Sequence, residues 1–172
     1  MHIRPATAAD AAEIQAIYAH HVLHGTGTFE EVAPSVEEIA ARLRGVTARN
    51  CPWLVRTDAT GVLGYAYYTP LRDRSAYRFC VENSVYVRAD VQRSGTGRAL
   101  MVELIASAEA AGLRQMIAVI GDAGNAGSIG LHASLGFRHT GVWHACGVKF
   151  GRWLDVVHMQ RPLGAADADV PA

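Results

Sequence analysis

Residues 92–100 (QRSGTGRAL) form a glycine-rich segment whose composition and position suit one kind of chemistry, the binding of a phosphate group. The segment follows a strand-like run at 84–87 and opens a helix-like run at 99–111. A glycine turn between a strand and a helix lets backbone N–H groups approach an anion, with the positive end of the helix dipole behind them. The segment therefore predicts a phosphate site; an ordinary strand-to-helix turn is the alternative interpretation.

Two common phosphate-binding patterns do not fit this segment. A P-loop has a Lys and then a hydroxyl residue after its second glycine, but here Gly97 is followed by Arg98 and an alanine. A dinucleotide-binding turn has a third glycine where this chain has Leu100, and it lies near the start of a βαβ unit. A third pattern, Gln/Arg-x-x-Gly-x-Gly/Ala, is matched by Gln92, Gly95 and Gly97.

This third pattern resembles the pyrophosphate loop of the GCN5-related N-acetyltransferases, which bind acetyl-CoA. Residues 124–137 are similar to a second signature of that superfamily, Asn-x-x-Ser-x-x-Leu-Tyr-x-x-x-Gly-Phe, with His132 in place of the usual Tyr. The matching residues are Asn125, Ser128, Leu131, Gly136 and Phe137. The spacing between the two motifs leaves room for one helix, one strand and a loop.

Further segments narrow the resemblance to the phosphinothricin and methionine sulfoximine acetyltransferase group, from about Ile3 to Leu163. The most specific is residues 148–156 (VKFGRWLDV), and the others are 51–55, 64–67, 77–87 and 118–122. The resemblance implies an α/β fold with a mixed, mostly antiparallel central sheet flanked by helices on both faces. It also implies direct acetyl transfer from acetyl-CoA to a small amino-acid-like amine such as phosphinothricin, methionine sulfoximine or methionine sulfone, and a homodimer.

Composition limits the class of protein. A chain of 172 residues, 50% of them apolar, is expected to form one domain with a substantial core. The 16 Lys and Arg residues balance the 16 Asp and Glu residues, which argues against nucleic acid as a partner. The sequence contains no apolar run of about eighteen residues, so no membrane span is expected. The N-terminus lacks a signal-peptide core, and the odd, scattered cysteines indicate reduced thiols, so we expect a cytoplasmic protein.

The order of predicted elements fits the same architecture. Periodicity predicts strands at 3–5, 53–56, 62–69, 77–87, 116–120, 137–145 and 153–161. Capping and periodicity predict helices that begin after Thr7, run from a capping box at Ser35 to about Arg44, and cover about 98–110 and 126–135. We expect residues 1–163 to form a single acetyltransferase domain and residues 164–172 to form a flexible tail.

Acetyl transfer needs a cofactor cradle, an uncharged amine, stabilisation of an oxyanion, and a proton for the departing thiolate. Backbone groups of the glycine loop are the predicted cradle for the pyrophosphate. The resemblance implies that the preceding strand pairs with the pantetheine arm, and that a backbone N–H there also serves the oxyanion. The predicted cofactor-binding residues are Val85, Tyr86, Val87, Gln92, Arg93, Ser94, Gly95, Thr96, Gly97, Arg98, Asn125 and Ser128.

Glu82 is the candidate general base. It lies three residues before Val85 in a segment that is otherwise apolar or neutral. Burial there would raise its pKa toward a useful value, and a bound water could relay the proton. The alternative is a structural carboxylate paired with an arginine such as Arg78.

His132 is the candidate general acid, because the superfamily Tyr at this position donates a proton to the CoA thiolate. An imidazole with a pKa near 6.5 can also donate. A thiolate whose pKa is about 8.5 can leave without an acid, so helix packing or cofactor contact is the alternative role.

The predicted substrate site contains arginines, because an amino-acid analogue offers a carboxylate and an oxyacid that suit a bidentate guanidinium. The resemblance supports Arg72 and Arg78, whereas Asp73 and Arg74 fit a solvated loop. The resemblance also puts the late hairpin near the site and the dimer interface. The predicted substrate-binding residues are Phe29, Arg72, Arg78, Glu82, Asn83 and Lys149.

Three histidines and the overall charge bear on alternative functions. His20, His21 and His24 have helical i, i+4 spacing, but no further ligands stand nearby, and no metal is predicted. An acetyltransferase for a polyamine, an antibiotic or a protein N-terminus is one alternative; a non-catalytic acyl-CoA-binding module is another. Neutral net charge and the arginine-bearing loop favour a small anionic substrate.

Overall fold

The computed structural model describes residues 1–170, which form a seven-stranded sheet in the order β1-β2-β3-β4-β5-β7-β6. The strands are β1 (His2–Pro5), β2 (Trp53–Asp58), β3 (Gly61–Pro70), β4 (Cys80–Val87), β5 (Gln115–Gly121), β6 (Arg138–Lys149) and β7 (Arg152–Pro162). The α-helices are α1 (Ala11–His24), α2 (Val36–Thr47), α3 (Thr96–Ala110) and α4 (Ala126–Ser134). Among the strands of residues 1–170 only β4 and β5 pair in parallel, so the predicted mixed, mostly antiparallel sheet is confirmed.

The helices cover both faces of the sheet, and β4 shows which helices cover which face. Side chains alternate along a strand, so Glu82 and Tyr86 share one side, which we call the Glu82 face. The ring of Tyr86 meets Tyr18 of α1 edge to face, with centroids 5.0 Å apart, and α2 packs on α1. The opposite side is the Asn83 face, where Asn83 contacts His132 of α4 and α3 packs on β3 and β4.

Apolar side chains from both helix pairs are buried against the sheet. Fully buried examples are Ile14 of α1, Val55 of β2, Leu100 of α3 and Met116 of β5. Burying each such side chain contributes about 1.5–3 kcal/mol relative to exposure. The helices are thereby fixed on the sheet, which gives the residues between them a rigid frame.

Two element boundaries show how local signals and pairing combine. Ser35 caps α2 as expected, because its Oγ accepts a hydrogen bond of 3.2 Å from the backbone N–H of Glu38. The strand predicted at 77–87 begins only at Cys80. Pro70 ends β3 and pairs with Val81, so residues 77–79 lie beyond the end of β3, and Ser75–Tyr77 form a 3-10 turn instead.

The C-terminal segment folds back on the start of β5. Leu163 is fully buried, and its N–H donates to the carbonyl of Arg114 at 2.9 Å. Arg114 pairs with Asp169 at 2.7 Å. The flexibility of this tail and the single domain over 1–163 stay predictions, and Pro171 and Ala172 lie outside the described residues. None of the helices found in residues 1–170 has the length and apolar character that crossing a membrane requires.

Candidate active site

The two parallel strands separate part of the way along the sheet. Residues 80–83 of β4 pair with residues 115–118 of β5, and the pairing stops at Asn83 and Ala118. Residues 84–87 still pair with β3, on the other side of β4. The separation opens a cavity of about 560 Å³ between β4 and β5. The side of β4 that faces this cavity therefore presents backbone groups that are not used by β5.

Most of the predicted cofactor residues line this cavity. They are Val85, Tyr86, Val87, Gln92, Arg93, Gly95, Thr96, Gly97, Arg98, Asn125 and Ser128. Ser94 is the exception: its hydroxyl bonds to Thr96 Oγ1 at 2.8 Å, so its side chain braces the turn. His132 and Asn83 also line the cavity, whereas Glu82 does not.

The glycine loop has the geometry of an anion site. Arg93 and Gly95 have φ values of 62° and 81°, in the left-handed region, which turns the chain sharply before α3. The first helical hydrogen bond runs from Ala99 N to Gly95 O at 3.0 Å. The N–H groups of residues 96–98 precede that bond, so they are available to a phosphate at the positive end of the α3 dipole.

His132 is buried at the point where the strands part, and each of its ring nitrogens faces an oxygen. Nδ1 donates to the Ser128 carbonyl at 2.8 Å, and Nε2 lies 3.0 Å from Asn83 Oδ1. The orientation of the Asn83 amide follows from its Nδ2, which donates to the carbonyl of Ile117 at 2.9 Å. The hydrogen-bond partners therefore favour an imidazolium with two donors.

Burial acts in the opposite direction on the same ring. It lowers the pKa of His132 below its ordinary value of 6.5, while the bond to the Ser128 carbonyl raises it. The oxygens around the ring and its burial therefore act in opposite directions on the charged form of His132. Both ends of the Asn83 amide are engaged within the protein, and its contact with the substrate stays a prediction.

Glu82 lies next to Asn83 but points to the other face. It is half-buried, and burial raises the pKa of its carboxyl above 4.5, with Arg72 lowering it in part. Arg78 does not pair with it: this guanidinium lies 4.6 Å from the centroid of the Phe79 ring and donates to the Ser75 carbonyl at 3.3 Å. Across residues 1–170, no ion-pair partner is found for the Glu82 carboxylate, a condition that suits a base better than a structural charge.

The other predicted substrate residues lie outside the cavity. Arg72 and Arg78 are exposed on the segment between β3 and β4, and Phe29 is partly exposed. Lys149 is only 2% exposed, and its Nζ donates to the carbonyl of Thr28 at 2.9 Å. Substrate contact by these residues stays a prediction, and Lys149 is engaged with the protein itself.

Sequence reasoning missed several cavity residues. His21, weighed only as a metal ligand, bonds through Nε2 to the carbonyl of Val87 at 2.9 Å and lines the cavity. Thr26, Gly27 and Asp122 line it as well. The available signal was the polar residue directly after a buried strand, at Asp122. Within the described part of the chain, no three His, Cys, Asp or Glu side chains are grouped as metal ligands.

Comparison with known proteins agrees with this geometry. Residues 3–158 match a family model described as "Acetyltransferase (GNAT) domain". The chain is 51% identical to phosphinothricin N-acetyltransferase of Alcaligenes faecalis over 162 residues, which covers 94% of this chain and 82% of that protein. It is 43% identical to the L-methionine sulfoximine/L-methionine sulfone acetyltransferase of Pseudomonas aeruginosa over 162 residues, 94% of each.

Solved structures show the same fold. A GNAT superfamily phosphinothricin acetyltransferase from Sinorhizobium meliloti, in complex with acetyl-CoA, superposes with a TM-score of 0.96 at 46% identity, covering 99% of this chain and 92% of that one. The structure of yncA from Salmonella typhimurium with its cofactor acetyl-CoA superposes with a TM-score of 0.92 at 39% identity, covering 100% of this chain and 96% of that one. The resemblance and the fold inferred from the sequence are both confirmed.

Proposed function

The chain belongs to the acetyltransferase (GNAT) family, and we propose that it moves the acetyl group of acetyl-CoA directly to the amine of a small amino-acid-like substrate. Phosphinothricin, methionine sulfoximine and methionine sulfone represent the substrate class. The observation that carries this proposal is the gap between β4 and β5, which joins the anion-binding end of α3 to the neighbourhood of His132 and Glu82. Relatives with these named activities cover nearly the whole chain.

The cavity suits a long cofactor with a phosphate-bearing end. Backbone N–H groups of residues 96–98 would hold the diphosphate, with Arg93 and Arg98 beside it. Backbone groups of Val85 and Val87, on the side of β4 that β5 leaves, would pair with the amides of the pantetheine arm. The bound thioester would then lie near Asn83, where the strands part.

The proposed mechanism moves three protons. Glu82, directly or through a water, accepts a proton from the substrate ammonium and passes it to solvent, and the neutral amine forms a C–N bond to the acetyl carbon. A backbone N–H of β4 near Val85 stabilises the oxyanion of the adduct. The nitrogen of the adduct then loses its second proton to Glu82, the C–S bond breaks, and His132 gives a proton to the departing thiolate and is reprotonated from solvent. The raised pKa of Glu82 supports its role as the base, and the two oxygens that face the ring nitrogens of His132 support the presence of a proton for the thiolate.

Substrate recognition is proposed for the arginines beside Glu82. Arg72 is near enough to Glu82 to lower the pKa of its carboxyl, so its guanidinium can hold a substrate carboxylate while the amine faces Glu82. Arg78 lies farther along the same segment, over Phe79. Arg72 is therefore the stronger candidate of the two.

We further propose a homodimer that is cytoplasmic and needs no metal. Large apolar side chains on the β6–β7 hairpin are more than half exposed: Trp143 at 56%, Val148 at 52%, Phe150 at 57% and Trp153 at 68%. Exposed aromatic side chains on one hairpin support an interface. The three cysteines are free thiols, which supports a reducing compartment.

The proposed function is tested by thiol release from acetyl-CoA with five acceptors: phosphinothricin, methionine sulfoximine, methionine sulfone, spermidine and a peptide amine. We expect saturable turnover with the first three. Turnover with spermidine or the peptide alone would show that the substrate class is wrong. Tight CoA binding with no thiol release from any acceptor would identify a non-catalytic acyl-CoA-binding module.

A further inference from the structure

Residues 25–30, which we call the early loop, connect α1 to the segment before α2 and touch both halves of the site. Thr26 and Gly27 line the cavity between β4 and β5. Phe29 packs on backbone: a Cβ at Gly147 would lie 2.2 Å from its Cε2 atom, and one at Gly121 would lie 2.6 Å from the Thr26 carbonyl oxygen. Glycine at these two positions is therefore what lets the early loop approach the sheet this closely.

The strand register shows which face Phe29 occupies. Glu82 of β4 pairs with Ile117 of β5, so their side chains share the Glu82 face. Gly121 lies four residues farther along β5 and faces the same way. Phe29, which packs against Gly121 and is 36% exposed, therefore lies on the Glu82 face. The early loop has one part on the cofactor cavity and another on the side of the proposed base.

Asp122 fixes the first part of the early loop. Its carboxylate accepts from Thr26 Oγ1 at 2.8 Å, from the N–H of Gly124 at 2.9 Å and from Arg152 Nη2 at 2.7 Å. Asp122 has a φ of 66°, a left-handed conformation that is uncommon outside glycine. One hydrogen bond within its own turn and two to other segments, the early loop and β7, hold the residue in this strained conformation, which is typical of functional sites.

Lys149 fixes the second part of the early loop. Its buried Nζ donates to the Thr28 carbonyl at 2.9 Å. The hydroxyl of Thr28 bonds to Tyr18 Oη at 2.8 Å, and Tyr18 donates to Glu30 Oε1 at 2.9 Å. Glu30 pairs with Arg42 of α2 at 2.7 Å. Removing an ammonium group from water is costly. Because the buried Lys149 ammonium donates to the Thr28 carbonyl, we infer that the position of the early loop at Thr28 is functionally important.

We propose that Asp122 and Lys149 are positioning residues for acetyl transfer: they hold the early loop as a shared wall, with Thr26 and Gly27 on the cofactor side and Phe29 on the amine side. The identity of the two ligands rests on the proposed function. A wall that both ligands order together couples their binding, because the ligand that binds second meets a loop already fixed. Occupying the cofactor cavity should therefore raise the affinity for the amine.

The test uses Lys149→Met, which keeps the length of the side chain but loses the bond to Thr28, and Asp122→Asn, which loses the charge that pairs with Arg152. Glu109→Gln is the matched control, since it breaks an arginine pair, to Arg161, away from the cavity. Hydrogen exchange of the early loop is measured with CoA bound, and calorimetry gives the affinity for methionine sulfoximine with and without CoA. We expect at least tenfold faster loop exchange in both variants, a tenfold higher KM for the amine, and loss of the coupling.

Thr26→Val provides a second route if Lys149→Met does not fold, because it removes only the hydroxyl that bonds to Asp122. We expect it to speed exchange of the early loop and to weaken the coupling, as Asp122→Asn does. Unchanged exchange, KM and coupling in folded Asp122 and Thr26 variants would overturn the positioning role. Hydrogen exchange of the early loop with CoA bound does not depend on the amine, so it tests the positioning role by itself. A wild-type protein that binds CoA but acetylates no amine would refute only the proposed function.

Discussion

Replacing Glu82 with Gln removes the proposed base while keeping the shape of the side chain. The carboxylate is half-buried on β4, beside Asn83 at the point where the strands part, and no ion-pair partner is found for it within residues 1–170. Its loss should therefore act on the proton transfer rather than on a structural pair. Glu103→Gln, at an exposed position of α3, makes the same chemical change away from the site and is the control.

The size of the effect follows from the proton balance. General-base catalysis typically contributes about 10²–10⁴-fold, which is about 2.7–5.5 kcal/mol of barrier. An alkylammonium has a pKa of about 9 to 10, so about one substrate amine in a hundred or fewer is uncharged at neutral pH. We expect Glu82→Gln to lower kcat/KM by at least about 10²-fold at neutral pH. The loss of activity should shrink toward a few-fold as the pH approaches the pKa of the substrate ammonium.

The pH dependence of kcat/KM of the wild-type protein should also depend on the Glu82 carboxyl. Because burial raises the pKa of Glu82 above 4.5, activity should fall as the pH drops through that raised value, earlier than an ordinary glutamate would allow. Arg72 holds the pKa of this carboxyl down in part, so Arg72→Ala should move the acidic limb of the profile to higher pH. Both shifts are read from kcat/KM measured across the pH range.

Stability supplies the check on folding. A carboxyl with a raised pKa in the folded state stabilises the fold fully below its unfolded pKa, and that contribution is lost as the pH rises through the folded pKa. At neutral pH the ionised Glu82 therefore lowers the free energy of unfolding. Glu82→Gln should melt at the same temperature as the wild type or higher. An equal loss of activity at every pH, in a protein of unchanged stability, would refute a base role for Glu82.

Three further changes test the cofactor site, the substrate site and the interface. Gly97→Val adds a side chain whose Cβ meets Leu131 at 3.3 Å and Val87 at 3.4 Å, both cavity walls, so calorimetry should show CoA affinity at least about tenfold weaker. Arg72→Lys keeps the charge but loses the planar fork, so KM for amino-acid analogues should rise about tenfold in steady-state kinetics. Trp153→Ala removes an aromatic side chain that is 68% exposed. Light scattering should therefore show that the variant dimer dissociates at a higher protein concentration than the wild type, and its turnover should be lower.

Each of these changes has an outcome that contradicts its reasoning. A folded Gly97→Val protein with wild-type CoA affinity would remove the glycine loop from the cofactor site. Equal activity on methionine sulfoximine and on its decarboxylated amine would show that no carboxylate is read by Arg72. If light scattering gave the wild-type protein the mass of a single chain at micromolar concentration, and that protein were fully active, Trp153 would have no role in a dimer interface.

The parts of the site that lie in one local segment could be predicted from the sequence. The glycine loop is such a part, because Gly95 takes a left-handed φ and α3 begins directly after it. The N-cap at Asn125 is another: its side chain accepts from the N–H of Ser128 at 3.1 Å, within the motif that carried the resemblance. Short-range geometry fixes both, so the residue types alone were informative.

Long-range contacts could not be read in the same way. Asn83 meets His132 across 49 residues of sequence, and this contact depends on the pairing of β4 and β5 ending at Asn83. Lys149 reaches Thr28 across 121 residues. Neither contact has a local pattern, so the sequence predicts neither of them, and substrate contact by Asn83 and Lys149 stays a prediction.

In the proposed function the acetyl group passes directly from the thioester to the amine of the substrate. Carbon-13-labelled acetyl-CoA, incubated with the wild-type protein and methionine sulfoximine and followed by NMR, measures this transfer. We expect the label to appear as an amide on the α-nitrogen of the substrate, in step with release of the CoA thiol and without a labelled protein intermediate. Label that stays on CoA, or that appears as free acetate or as a stable acetyl-protein, would contradict it.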